Sequence, residues 1–336
     1  MSSAAKPKIL IVGAAGFAGA LAARLVWRHP GLELSAVTSR SEAGKRHDEI
    51  YPRHRVPIEL TEVDLGSAAS FDAAIVAYPH GAAAPVVAAL RDAGVPVVDL
   101  SADFRLRDTA VYAEHYGDHS APELIADAAY GLTELNRDAV RGAGLVANPG
   151  CYPTATLLAL APLARAGLVA STVVDAKSGV SGAGRGGGEA LNFTNVAENV
   201  RPYGVAGHRH LPEIEQELAA MGATGPLTFV PHLLPLDQGL LASCYVELTR
   251  PLESNELDAL YRDLYEDEPF IEIAADPPGV ADVRETNSCR VHARLEWGSE
   301  RAMAFAAIDN LWKGAASQAV QNLNLMLGLG EGDGIS

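Results

Sequence analysis

Cysteine is scarce in this chain: three among 336 residues, Cys151, Cys244 and Cys289, far apart and odd in number. That arithmetic argues against a disulfide framework and for a reducing compartment, so a cytoplasmic protein is expected. No C-x-x-C and no Cys/His cluster is present, so no metal site is assigned. Nor is there a basic block to offset 42 acidic against 26 basic side chains, a formal net charge of −16. Nucleic acid and anionic membranes therefore make poor partners, and an acidic partner protein is disfavoured by like charge. Long apolar runs are missing too: Ile9-Leu10-Ile11-Val12, behind the leader Met1-Ser2-Ser3-Ala4-Ala5-Lys6-Pro7-Lys8, is too short for a signal peptide or a membrane span. Internal repeats and low-complexity linkers are absent. What is left is a chain 48% hydrophobic and 20% charged, long enough for two domains with a real core.

The first half alternates buried-type strands and helices. A strand at 8–12 runs into Gly13-Ala14-Ala15-Gly16-Phe17-Ala18-Gly19, and residues 20–28 read as a helix. Strand, glycine turn and helix form the context of a dinucleotide fingerprint, here spaced G-x-x-G-x-x-G. Gly13 allows the tight turn, Gly16 the approach of a pyrophosphate, and Gly19 close packing of helix on strand. A second strand, 32–40, ends in Thr38-Ser39-Arg40 where an acidic residue would select NAD. Hydroxyl and guanidinium groups suit a 2′-phosphate, which favours NADP. Further strands at 72–78 and 95–100, with a helix over 82–92 between them, give a doubly wound parallel sheet. Pro79, His80 and Gly81 lie at one strand end. Ser101-Ala102-Asp103-Phe104-Arg105 lies at another, where Arg105 either grips a phosphate or pairs with Asp103.

The second half carries the chemistry. In Asn148-Pro149-Gly150-Cys151-Tyr152-Pro153-Thr154 a thiol stands where a loop becomes a helix, expected from Thr154 to near Gly167. Unpaired amides and the dipole at a helix start favour thiolate, the nucleophilic form. Residues 173–180 read as a strand that enters the glycine run 181–188, suited to a cofactor, an anion or a lid. Gly207-His208-Arg209-His210-Leu211-Pro212-Glu213 sets two histidines before a helix at 212–221. Either histidine can serve the thiol as base, and the residues alone do not choose between them. Strands at 228–235, 240–248, 291–297 and 301–308 predict a mainly antiparallel sheet able to carry a subunit contact. Cys244 and Cys289 have no helix-start context. A final helix over 314–327 is expected to pack on the first domain. A nicotinamide domain, a cysteine and a histidine together suit hydride transfer at the acyl level: the thiol displaces phosphate from an acyl phosphate, and the thioester is reduced to an aldehyde.

Six segments carry a resemblance. They are G-A-A-G-F-A-G (13–19), D-L-S-A-D-F-R (99–105), N-P-G-C-Y-P-T (148–154), K-S-G-V-S-G-A-G-R (177–185), H-R-H-L-P-E (208–213) and D-N-L-x-K-G-A-A (309–316). Over essentially its whole length the chain resembles the arginine-biosynthesis branch of the semialdehyde dehydrogenase family, the N-acetyl-gamma-glutamyl-phosphate reductases. The resemblance implies an α/β fold, a Rossmann-type doubly wound sheet (1–148 and 313–336) plus an α+β catalytic domain (149–312). It implies NADP(H), a small acyl phosphate with release of inorganic phosphate, and a homodimer or homotetramer. Cys151 matches the nucleophile and His210 the acid/base. Cofactor contacts are expected from Gly13, Ala15, Gly16, Phe17, Ala18, Gly19, Ser39, Arg40, Ser178, Gly179, Gly182 and Asn310. Substrate contacts are expected from Ser101, Arg105, Asn148, Arg209 and Glu213. Ala15 and Phe17 replace a serine and a tyrosine common in the family. Other readings are an acyl-phosphate reductase acting on carrier-bound substrate, an aspartate-semialdehyde dehydrogenase, a non-catalytic NADP sensor and a thiol hydrolase or acyltransferase.

Overall fold

Short runs of Val, Ile, Leu and Ala build the middle of the first sheet, and the computed structural model shows Ile9 to Val12, Ala73–Val76, Val97–Asp99 and Leu145–Ala147 buried throughout. It describes residues 5–186, 188–205, 207–296 and 300–336. Met1 to Ala4 of the leader, Gly187 of the glycine run and Trp297 of an expected strand lie outside the described residues. Contacts divide the chain into two compact units, Met1–Pro149 with Ala315–Ser336, and Gly150–Gly314.

In the first unit, strands β1 (Lys8–Val12), β2 (Glu33–Thr38), β3 (Leu60–Thr61), β4 (Ala73–Val76), β5 (Val97–Asp99), β6 (Ala128–Tyr130) and β7 (Leu145–Ala147) are joined in the order β3-β2-β1-β4-β5-β7-β6. Every pairing in it is parallel. The order reverses direction between β1 and β4, the point at which such sheets bind ligands. Helices α1 (Phe17–Arg28), α2 (His47–Ile50), α3 (Ala84–Asp92), α4 (Thr109–Tyr116) and α5 (Thr133–Val140) connect the strands.

The second unit holds α6 (Cys151–Arg165), β8 (Val169–Gly179), α7 (Phe193–Val196), β9 (Arg201–Pro202), α8 (Leu211–Ala220), β10 (Leu227–Leu234), β11 (Leu240–Leu248), α9 (Ser254–Tyr265), β12 (Ile271–Ile273), β13 (Cys289–Leu295) and β14 (Arg301–Ile308). Its sheet runs β12-β13-β14-β11-β8-β10-β9. The pairings are antiparallel except β12 with β13 and β8 with β10, which matches the mainly antiparallel expectation.

Helix α6 lies against this sheet, buried from Tyr152 through Ala164. It begins at Cys151, three residues before the expected start, because a proline at 153 is tolerated in a first turn, where its missing N–H costs nothing. Pro162 sits inside the same helix, and its missing N–H deprives the Leu158 carbonyl of its partner. The phenol of Tyr265 donates to that carbonyl at 2.7 Å, and the phenol of Tyr261 to the Ala159 carbonyl beside it. Both tyrosines project from α9, so the defect in α6 is filled by the helix packed against it.

The final helix, α10 (Ser317–Met326), belongs to the first unit, packed on α1 and α5. A π-turn at Trp312–Ala316 precedes it, so the helix starts later than the sequence predicts.

Candidate active site

Cys151 is the first residue of α6 and partly exposed, whereas Cys244 and Cys289 are buried. Burial pushes the Cys244 thiol well above its ordinary pKa, which leaves it an inert hydrophobe. Gly150 caps α6 through its carbonyl, which accepts the Thr154 amide and the Thr154 hydroxyl, both at 2.9 Å. The Gly150 amide donates at 2.9 Å to Oε1 of Glu213, a side chain only 2% exposed. Glu213 thus anchors the turn that carries the thiol.

His210 stands at the N-terminus of α8, with Pro212 in the first turn. Its imidazole lies over Gly150: a Cβ built there would come within 2.6 Å of Nε2 and 2.9 Å of Cδ2 and Cε1. On the other side, a Cβ on Gly314 would sit 2.9 Å from the Cys151 Cβ. Two glycines therefore clear the space around the thiol and its histidine.

The structure separates the two histidines that residue physics left equivalent. His208 accepts the His210 amide on Nδ1 at 3.1 Å. Its ring is boxed by Tyr152, Tyr203 and Phe229, with centroids at 5.6, 5.4 and 5.4 Å. Burial, helped by the charge of Arg209, lowers its pKa to about 4, so near neutrality it is an uncharged acceptor that holds the His210 backbone. The Tyr203 hydroxyl donates to the Tyr152 hydroxyl at 3.1 Å, and the latter donates to the His232 carbonyl. Arg209 is exposed.

Other second-unit residues expected at the cofactor are tied into their own loops. Asn310, 2% exposed, accepts the Gly239 amide and donates to Ser181 Oγ, which in turn donates to the Asp237 carbonyl. Ser178 is buried and donates to the Gly179 carbonyl. A Cβ on Gly182 would meet Ser178 Oγ at 3.2 Å. These bonds hold the start of the glycine run.

In the first unit, the glycine turn fits a dinucleotide. Gly13 has φ +85°, and a Cβ there would come within 2.6 Å of the Ala77 carbonyl oxygen. A Cβ on Gly19 would overlap the Gly13 carbonyl, so α1 lies on the turn as closely as backbone allows. No acidic side chain occupies the first turn of α1, formed by Phe17, Ala18 and Gly19, and no side chain caps it. Its amides remain for an anion. Arg40 is exposed, its guanidinium 4.4 Å above the ring of Tyr78. Ser39 is buried, and its Oγ accepts the Ser41 and Glu42 amides, so the hydroxyl shapes the turn that presents Arg40.

In the Ser101–Arg105 loop, Arg105 does not pair with Asp103, one of the two roles offered for it. The guanidinium is buried and donates to the carbonyls of Asn148 and Leu100, at 2.8 and 2.7 Å. Asp103 is unavailable to it because its carboxylate accepts the amides of Gly81, Ala83 and Ala84 and the hydroxyl of Tyr112. Helix α3 has no side-chain cap of its own, so this distant aspartate satisfies its first amides. Ser101 Oγ donates to Asp99, and burial pushes that carboxyl up to about 7. His80 accepts the Ala102 amide on Nδ1. Asn148 is held by Asn322 and by the Ala315 carbonyl. Tyr51, which no motif announced, donates at 2.7 Å to the Ala15 carbonyl in the glycine turn.

Two family models match the chain: the NAD binding domain of semialdehyde dehydrogenase over residues 8–143 and its dimerisation domain over 151–310. An N-acetyl-gamma-glutamyl-phosphate reductase of Halorhodospira halophila is 50% identical over 334 residues, 97% of this chain and 96% of the relative. One from Dehalococcoides mccartyi is 44% identical over 335 residues, 98% of this chain and 97% of the relative. Among solved structures, aspartate semialdehyde dehydrogenase II of Vibrio cholerae superposes with a TM-score of 0.75 at 20% identity, covering 97% of this chain and 99% of the other. The Candida albicans aspartate semialdehyde dehydrogenase with NADP gives 0.71 at 16% identity, covering 96% and 99%. At those identities the likeness concerns the fold.

Proposed function

This chain belongs to the semialdehyde dehydrogenase family, and from that premise we propose that it reduces N-acetyl-gamma-glutamyl phosphate to N-acetylglutamate 5-semialdehyde with NADPH, releasing inorganic phosphate, in arginine biosynthesis. The observation that carries this reading is the seat of the thiol: Cys151 opens α6, with the His210 ring over the adjoining Gly150.

His210 takes the thiol proton. The Cys151 sulfur attacks the acyl carbon, and the carbon–oxygen bond to phosphate breaks, leaving a thioester and inorganic phosphate. The first-turn amides of α6 are suited to stabilise the oxyanion, a contribution of roughly 3–4 kcal/mol in comparable sites. When bound, NADPH supplies the hydride that takes the acyl carbon to the aldehyde level; the glycine turn Gly13–Gly19 and Arg40 would hold it. Release of the aldehyde breaks the carbon–sulfur bond, and the sulfur leaves with the bonding pair. His210 gives its proton to the departing phosphate, and the Cys151 thiolate freed with the aldehyde takes one from solvent. His208 and Glu213 keep His210 and Gly150 in place throughout.

The oligomer is read as a homodimer or homotetramer. Support comes from the outer face of the second sheet, where Val173 and Tyr245, neighbours in register, are 42% and 43% exposed. Among the described residues no helix is long and apolar enough to cross a membrane, and a cytoplasmic enzyme suits a working free thiol.

Phosphate-dependent reduction of NADP by N-acetylglutamate semialdehyde, compared with aspartate semialdehyde, tests the substrate. Cys151→Ala is expected to abolish turnover while NADPH still binds. Retained turnover in that variant would remove the covalent route, preference for aspartate semialdehyde would change the substrate, and a monomeric mass by light scattering would overturn the oligomer.

A further inference from the structure

Between β2 and β3 the chain folds into a compact aromatic stack that no motif accounts for. His47, Tyr51 and His54 lie at helical and turn spacing around α2. The rings of Tyr51 and His54 stack at 5.1 Å and 12°, those of His47 and His54 at 5.6 Å and 26°. His47 is fully buried, and neither of its ring nitrogens has a hydrogen-bond partner among the described residues. Burial lowers its pKa and, with the charges of His47, Arg24 and Arg53, brings that of His54 to about 4. The stack is therefore uncharged at neutral pH.

The hydroxyl of Tyr51 leaves this stack and donates to the Ala15 carbonyl at 2.7 Å. The amide on the other side of that peptide, Gly16 N–H, donates to the Gly13 carbonyl at 3.2 Å. The Ala15–Gly16 peptide is thus pinned at both ends, just before the first-turn amides of α1. The consequence is electrostatic. A peptide free to rotate here could turn its carbonyl oxygen toward the place where an anion is to bind, and the partial charge of that oxygen opposes the amides. The Tyr51 hydroxyl, from outside the turn, holds the oxygen.

We propose that Tyr51 is a positioning residue for the dinucleotide, locking the Ala15–Gly16 peptide so that the start of α1 presents amides and no carbonyl to the pyrophosphate. This role rests on the reading of the chain as an NADP(H) enzyme. Its benefit is pre-organisation: without the hydroxyl, the turn must be ordered at the moment of binding.

The test is Tyr51→Phe in the full chain, which keeps the ring and its stacking. NADPH is titrated by fluorescence, with melting temperature and steady-state constants measured alongside. We expect Kd and KM for NADPH to rise about five- to tenfold, as for one hydrogen bond. The melting temperature without cofactor, kcat at saturating NADPH and KM for the acyl phosphate are expected to stay unchanged. Faster hydrogen exchange at the Gly16 amide in the cofactor-free variant is expected as an independent sign. Wild-type NADPH affinity in Tyr51→Phe overturns the role of Tyr51 alone. A lowered melting temperature with equal losses in both KM values also overturns it, in favour of a merely structural contact. If the unmodified protein itself fails to bind NADPH, the cofactor reading falls and this role with it.

Discussion

Replacing Gly150 by alanine adds one carbon at the most crowded point of the thiol site. The backbone accepts it: φ −67° and ψ 153° lie in the extended region open to any residue. The Gly150 amide and its bond to Glu213 remain. The space does not accept it, because the new Cβ would stand 2.6 Å from His210 Nε2, where ordinary contact begins at 3.4 Å. The ring must therefore withdraw by about 0.8 Å, and the His210 backbone, held by His208, resists a wider shift. A displacement of about 1 Å in a reacting group costs on the order of 10²-fold in rate. That is about 2.7 kcal/mol of activation free energy. The assay is phosphate-dependent NADP reduction by N-acetylglutamate semialdehyde, read as kcat/KM. NADPH affinity and the urea midpoint serve as controls. We expect a drop of about 10²-fold in kcat/KM with NADPH affinity intact. Wild-type kcat/KM in a folded Gly150→Ala variant would refute the claim that the His210 ring works from its position over Gly150.

Glu213→Ala strands the Gly150 amide in a buried place, so we expect a stability loss of about 1–3 kcal/mol in urea unfolding. Glu213→Gln keeps an acceptor oxygen and is expected to recover most of that loss; equal losses in the two variants would contradict the anchoring role. His208 supplies a pH dependence. Its proton binds the unfolded chain near 6.5 but the folded chain only near 4, so stability falls as pH drops through that window. By pH 5 this amounts to about 2 kcal/mol. His208→Asn keeps an acceptor for the His210 amide and removes the titration, so its stability should fall less than wild type between pH 7 and pH 5. Parallel curves for the two proteins would show that His208 is not held neutral by the fold.

Much of the fold was legible because local rules suffice for it. The strands at 240–248 and 301–308 matched their expected bounds, since each is a short apolar or alternating run closed by turn residues. The glycine turn was legible because both its tight φ at Gly13 and its close approach at Gly19 demand the absence of a side chain. The helix carrying the thiol was legible, though it starts three residues before the expected Thr154, with Pro153 at a position that needs no N–H.

Sequence by itself determined the reagents: a thiol at a helix start, two histidines before another helix, a glycine turn after a strand, and an arginine where an acidic residue would select NAD. These follow from spacing along one chain, and neighbours in sequence are neighbours in space over such distances. Tertiary structure decided the assignments. His210 rather than His208 lies over Gly150, because His208 is spent as an acceptor in an aromatic box drawn from α6, β10 and the loop around Tyr203. Asp103 caps α3 and Arg105 ties down carbonyls, although the two are separated by a single residue. Hydrogen-bond capacity is the physical reason. A buried polar group must be satisfied by whatever the fold brings within about 3 Å, and partners tens of residues away leave no trace in local spacing.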